Sequence, residues 1–197
     1  MNSIFQDHTF SDGELPTTSE NITFIRCDFR YLPLSEMQTI RCHFEQCDFH
    51  GASLSSSIHR HSSFLNCDFD ESNLFVAQFI ETKMTGSSFV GADLAGMRIQ
   101  GGDWSYTNFR NQKLPKMDLR GSIWREADLY GVDLSGSKLQ KADMCRAILH
   151  QASLEKADIR GTQTEGWDWT AIKLKGTKID LNQAVQLAEA YGAKVEL

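Results

Sequence analysis

Residues 127–161 read ADLYG VDLSG SKLQK ADMCR AILHQ ASLEK ADIRG. A large apolar residue returns at every fifth position, at Leu129, Leu134, Leu139, Met144, Leu149, Leu154 and Ile159, with a small residue two places before it. The same phase runs back through Trp124, Leu119, Leu114, Phe109, Trp104, Ile99, Leu94, Phe89, Met84, Phe79, Leu74, Phe69 and Phe64 to Phe24, and forward to Trp169, Leu174 and Ile179. Only Thr39, His59 and Thr164 break the apolar rule, and the phase never slips. Period five fits neither an amphipathic helix nor an alternating strand. It describes a chain that turns a corner every five residues. The small residue sits near the corner, and the large one fills the axis.

The number of sides follows from which residues repeat. Every twentieth residue from Leu34 to Leu174 is Leu, and the neighbouring column reads Phe29, Phe49, Phe69, Phe89, Phe109, Leu129, Leu149, Trp169. A lag of fifteen would set Leu34 over Phe49. Like residues therefore stack every four units, the spacing of a square coil. Coils stacked at the strand separation of about 4.8 Å would give, for about eight of them, a rod roughly 38 Å long. The in-phase units resemble the pentapeptide-repeat family, whose consensus is A(D/N)LxG. Ala92-Asp93-Leu94-Ala95-Gly96 and Val132-Asp133-Leu134-Ser135-Gly136 come close to it, and the resemblance extends over about residues 22–181. It implies an all-β solenoid, a right-handed quadrilateral parallel β-helix.

Both open ends of such a stack need covering. Residues 1–21 read as an N-terminal cap or partial coil, since Phe5, Phe10 and Leu15 keep period five in another phase before Pro16 interrupts. The repeat spans 22–180. In 181–197, Asp180 is placed to cap a short C-terminal α-helix over Leu181 to Tyr191, with Gln183 three residues on and Gly192 as its stop. Trp167 and Trp169 are expected to close the last coil, and Ala193 to Leu197 alternates like a short strand.

The chain has a net charge of −6, which argues against direct binding to nucleic acid or to an anionic membrane. No apolar run is long enough to span a bilayer, and no signal-peptide pattern opens the sequence, so a cytoplasmic protein is expected. Cys27, Cys42, Cys47 and Cys67 occupy the small inward position, as buried free thiols would. Cys145 falls on an outward one. His59 replaces an apolar centre and reads as a local exception, because a metal site needs ligands converging on one point. No phosphate loop, nucleophile elbow or metal spacing is present. The chain is read as no enzyme, with no cofactor and no metal.

The register also sorts the outward residues. The Phe-column face carries Asp28, Asp48, Asp68, Asp70, Glu71, Asp128 and Asp168 against Arg30 and Arg110. The opposite face carries Arg41, Arg60, Arg98, Arg120, Lys138, Lys141, Arg160 and Lys178 against Glu81, Asp118, Asp158 and Asp180. The C-terminal segment is similar to that of the Qnr-type branch of the family. That likeness implies a non-catalytic DNA mimic that binds DNA gyrase or topoisomerase IV and protects against quinolones or gyrase-directed toxins. The acidic face would be the partner-binding surface. It also implies a homodimer joined through the C-terminus, with Leu181, Val185, Tyr191 and Val195 as the contacts. The alternative is an interaction scaffold for an unrelated protein. Irregular units at 32–41, around Pro33, and 110–117, around Pro115, are the places where the coil could bulge into loops.

Overall fold

Along the repeat about one residue in five has left-handed backbone, two places after a centre: Arg26, Tyr31, Glu36 and Arg41 in one turn of the chain, Gly86, Gly91, Gly96 and Gly101 in a later one. Those residues turn the corners. In this computed structural model, which describes residues 3–196, the corners produce four flat sides per coil. Sides bond to the same side one coil on, and one column can be followed unbroken from Ile4 through Thr23, His43, Ser63, Lys83, Asp103, Ile123 and Asp143 to Gln163. The step is twenty residues after the first, which is nineteen because Ile4 pairs with Thr23. That shorter first step is why Phe5 and Phe10 run in a different phase yet stack on Phe24 and Phe29.

The sides are extended enough to form strands in the N-terminal coils. β1 (Ile4–Gln6), β3 (Thr23–Ile25), β5 (His43–Glu45) and β7 (Ser63–Leu65) make one parallel sheet. On the adjacent side, between that sheet and the column of leucines, β2 (Thr18–Glu20), β4 (Gln38–Ile40), β6 (Ile58–Arg60), β8 (Gln78–Ile80) and β9 (Arg98–Gln100) make a second. The remaining sides meet by single bridges, as do most sides after β9, though Arg98 and Asp118 do not pair.

Corners come in two kinds. Where a turn closes, the amide three residues on donates to the centre's carbonyl, as Ala52 N does to Phe49 O at 2.9 Å. The corners after Phe24, Phe44 and Phe64 stay open, and a side chain from the next coil supplies the donor instead: Cys47 Sγ to Phe24 O (3.5 Å), Cys67 Sγ to Phe44 O (3.7 Å), Ser87 Oγ to Phe64 O (2.9 Å). The small inward residue is thus also a polar cap for a buried carbonyl, which would otherwise lose a hydrogen bond inside the rod. All five cysteines are free thiols; Cys145 alone is partly exposed.

The centres form one continuous core. Phe24, Phe44 and Phe64 stack at 4.6 and 4.5 Å, and Phe29, Phe49 and Phe69 at 4.7 and 4.8 Å. Thr39 and His59, two of the three polar centres, face each other in adjacent coils. The Thr39 hydroxyl lies 2.8 Å from His59 Nδ1, and the Ser57 hydroxyl lies 3.0 Å from Nε2. His59 packs on Phe79 and against Phe64. Complete burial pushes its pKa down to about 3, so the ring is neutral. The third, Thr164, bonds Gln186 at the end of the stack.

The C-terminal end is covered from one side. A 3-10 turn at Trp169–Ala171 follows Trp167, whose indole donates to Met144 O at 2.8 Å. Helix α1 (Leu181–Ala190) is capped at Asp180, with the reciprocal Asp180–Gln183 capping box formed. Gln183 is buried, and its amide donates to Ile159 O (2.7 Å) and Thr162 O (3.0 Å), occupying carbonyls that a further coil would have taken. Residues 193–196 are irregular rather than the short strand that their alternation suggested. Two residues of alternation have no neighbouring edge to pair with, and Leu197 lies outside the described residues.

Candidate interaction surface

The acidic side is assembled by the coil register. Asp28, Asp48 and Asp68 are consecutive members of one bridged column. Each also accepts from the amide two residues on, at 3.0 Å for Arg30, 2.9 Å for His50 and 2.7 Å for Asp70. That local bond is why Asp suits the position before a centre. Asp70 and Glu71 lie in the unit of Asp68, so five of the seven carboxylates form a cluster on the N-terminal coils. Ser88 and Asn108 then interrupt the column, and Asp128 and Asp168 stand apart from the cluster.

Cations temper this face. Arg30 binds Asp28 (2.6 Å) and approaches Asp48 (3.5 Å), Arg110 binds Asp128 (2.9 Å) and stacks on Tyr130, and His150 lies 3.7 Å from Asp168. Arg30 accordingly holds the Asp28 carboxyl below its ordinary range. Asp68 is pushed the other way, first by burial and then by the neighbouring Asp70 and Asp48 charges. The least compensated acidity is therefore at Asp68, Asp70 and Glu71, next to Asp48, with His50 3.6 Å from Glu71.

Across the rod, Arg120 is tied to Asp118 and Arg160 to Asp158, both at 2.7 Å, and Arg160 holds the Asp158 carboxyl down at about 2. Arg41 pairs with Glu20. Of the four C-terminal residues, Leu181 and Tyr191 are 74% and 71% exposed, while Val185 and Val195 are half-buried. The apolar helix residue that packs on the rod's core is Leu187, which is not one of those four. Among the described residues no three His, Cys, Asp or Glu side chains converge as metal ligands would, and no helix is long and apolar enough to cross a membrane. Burial pushes the Cys42 and Cys67 thiols up, which keeps them unreactive.

Profiles of known families match most of this stack. "Pentapeptide repeat region" matches residues 37–114, and "Pentapeptide repeats (8 copies)" matches 105–139 and 127–162. The chain belongs to the pentapeptide-repeat family. The pentapeptide repeat protein MfpA of Mycobacterium tuberculosis is 35% identical over 94 residues, 48% of this chain and 51% of MfpA, so the match spans about half of that relative. A variant form of QnrB1, a plasmid-mediated fluoroquinolone resistance protein, is 26% identical and superposes with a TM-score of 0.87 over 99% of this chain and 98% of its own. HetL, a pentapeptide repeat protein of the cyanobacterium Nostoc, shares the fold at 21% identity and a TM-score of 0.52, covering 89% of this chain and 84% of HetL. The overall architecture of the chain, ends included, is that of the Qnr type.

Proposed function

We propose that this protein is a non-catalytic, cytoplasmic partner of a type II topoisomerase, DNA gyrase or topoisomerase IV, that protects the enzyme from quinolones or gyrase-directed toxins. The observation that carries this reading is the superposition on a fluoroquinolone resistance protein along the whole of both chains, terminal helix included. The acidic cluster Asp48, Asp68, Asp70 and Glu71 is the surface offered to the basic DNA-binding side of the enzyme. Duplex DNA carries a charge every 1.7 Å or so of axis, against about one carboxylate per 4.8 Å coil here. Shape and specific contacts must therefore supply most of the affinity, with charge setting orientation and encounter rate. The exposed Leu181 and Tyr191 supply the apolar centre of a tail-to-tail homodimer, with Val185 and Val195 beside them.

Gyrase supercoiling with and without a quinolone, titrated with the protein, tests the reading. Restored supercoiling at micromolar protein supports it, and no effect on inhibited or uninhibited enzyme excludes it. Leu181→Glu with Tyr191→Glu is expected to halve the mass in solution; an unchanged mass overturns the interface. A second reading, a scaffold for an unrelated protein, is favoured by the pairing of Asp28 and Asp128 with the chain's own arginines. A pulldown that enriches another protein and neither topoisomerase would support it.

A further inference from the structure

Among the described residues, two neighbouring sides of the stack are open together at one place. Every other coil in this part of the rod bonds its centre amide to the coil that follows, as Leu74 N does to Asp93 O and Leu114 N to Asp133 O, both at 2.8 Å. Between the coil of Leu94–Gly101 and that of Lys113–Gly121 these bonds are missing on two of the four sides. Among the described residues the amides of Leu94, Gly96, Ile99 and Gly101 have no protein acceptor, and neither Asp93–Lys113 nor Arg98–Asp118 pairs. On the other two sides the same coils remain bonded, Met84 N to Asp103 O at 2.7 Å and Phe89 N to Asn108 O at 2.9 Å. The rod therefore gapes at one corner and is hinged at the opposite one.

The sequence accounts for the opening. The Gln112 side chain inserts at the edge of the gap and donates to Phe89 O (2.6 Å) and Ala92 O (3.1 Å), displacing the amide that would have bonded there. Pro115 follows, which lacks an amide of its own, and the turn after Leu114 does not close: Met117 N goes to Ser137 Oγ instead. The result is a groove of about 1420 Å³. Its floor includes Met97, Ile99 and the half-buried Met117, and its walls carry Arg98, Lys113 and Lys116. The Arg120 and Asp118 beside them neutralise each other.

β9 is the last strand of its sheet, so this groove presents a strand edge with free amides and no partner. Cationic side chains and a proline are the usual guards of such an edge, and they repel a second basic strand. The same charges select for an acidic one. We infer that the groove takes a short, extended, acidic segment of a partner protein, which adds as a parallel or antiparallel strand along Arg98–Gly101. Alternate side chains of that segment would face the methionine floor while the others meet Arg98 and Lys116. Backbone pairing supplies the register and the cations supply the sign preference.

The probe is a fluorescein-labelled hexapeptide of alternating valine and glutamate, read by polarisation against the full-length protein. Binding is expected, with at least a tenfold loss for Arg98→Glu combined with Lys116→Glu. A comparable loss is expected for a peptide N-methylated at alternate amides, and no binding for the lysine counterpart. Amide exchange at Ile99 and Gly101 should be fast in the free protein and slowed by the peptide. Circular dichroism verifies that the variants stay folded, and Gln112→Ser, which removes the wedge without touching charge, should weaken binding by letting the coils close. No binding at millimolar peptide, or equal binding of the N-methylated peptide, overturns the inference. Displacement by inorganic phosphate alone would reduce the groove to a simple anion site and overturn it as well.

Discussion

The coils before Met84 and the coils after it fill the same square outline by different means. The first set is packed by two ladders of phenylalanine, with corners left open and closed over by Cys47, Cys67 and Ser87 from the coil that follows. Its left-handed corner positions are mostly side-chain-bearing residues, Val76 at φ 51° among them. The second set is packed by Leu129, Leu134, Leu139 and Leu154 with Ala127, Ala142 and Ala152 at the small position, and from Phe109 up to Leu139 every turn but the one after Leu114 is closed by a backbone bond. Glycine becomes frequent at its corners, as at Gly131, Gly136 and Gly161. A bulky ring column compensates for strained and open corners, whereas a leaner core goes with corners that cost little. The acidic cluster is on the first set, and the exposed helix is on the second.

If that contrast is real, the two sets should respond differently to truncation of the core. Phe64 touches Phe44, Phe49, Phe69, Phe79 and His59, so Phe64→Ala is expected to cost about 3–5 kcal/mol. Because a stacked rod is held coil to coil, that loss should melt the N-terminal coils first. All four tryptophans lie at 104 or later, so in urea the loss of circular dichroism should precede the change in fluorescence. Coincident transitions would show that the rod is one cooperative unit.

Acid should act on the same half. His59 is neutral in the fold with a pKa near 3 and titrates near 6.5 when unfolded, so the unfolded chain binds the extra proton between those values. Stability from this group is complete above about pH 6.5 and is lost as pH falls toward 3, by at most about 1.4 kcal/mol per pH unit. Replacing the pair with His59→Phe and Thr39→Val should flatten that slope in chemical denaturation at pH 4 to 7. An unchanged slope would move the acid sensitivity elsewhere.

The order of the columns, the four sides and the capping box at Asp180 and Gln183 were all legible in the residues, because each depends on which way a side chain points. What escaped depends on backbone bonds between coils. Gln112 and Pro115 keep the five-residue phase while breaking the ladder, so phase alone could mark 110–117 as irregular but could not show an open seam. Thr39 and His59 each looked like a lone exception, although a lag of twenty sets them face to face. The cysteines read as small residues, and their role as donors was hidden because it needs the open corner of the coil before. At the tail, alternation implied a strand where no edge is available.

The corner contrast gives the smallest effects. Val76→Gly relieves a β-branched left-handed residue and should raise stability by up to about 1 kcal/mol, net of the flexibility glycine adds to the unfolded chain. Gly136→Ala, at φ 68° with Lys116 Cγ 3.4 Å from the new methyl, should lower it by about 1 kcal/mol. Thermal melts would separate the two, and equal shifts would mean that the corners are under no difference in strain.

The functional division between the two sets is tested most directly by affinity for purified gyrase. Immobilised enzyme should bind the wild-type protein. Neutralising the N-terminal cluster with Asp48→Asn, Asp68→Asn and Asp70→Asn should weaken that binding at least tenfold, about 1.4 kcal/mol, with the fold intact. Binding by the neutralised protein as tight as by the wild type, or no binding by either, would contradict the account.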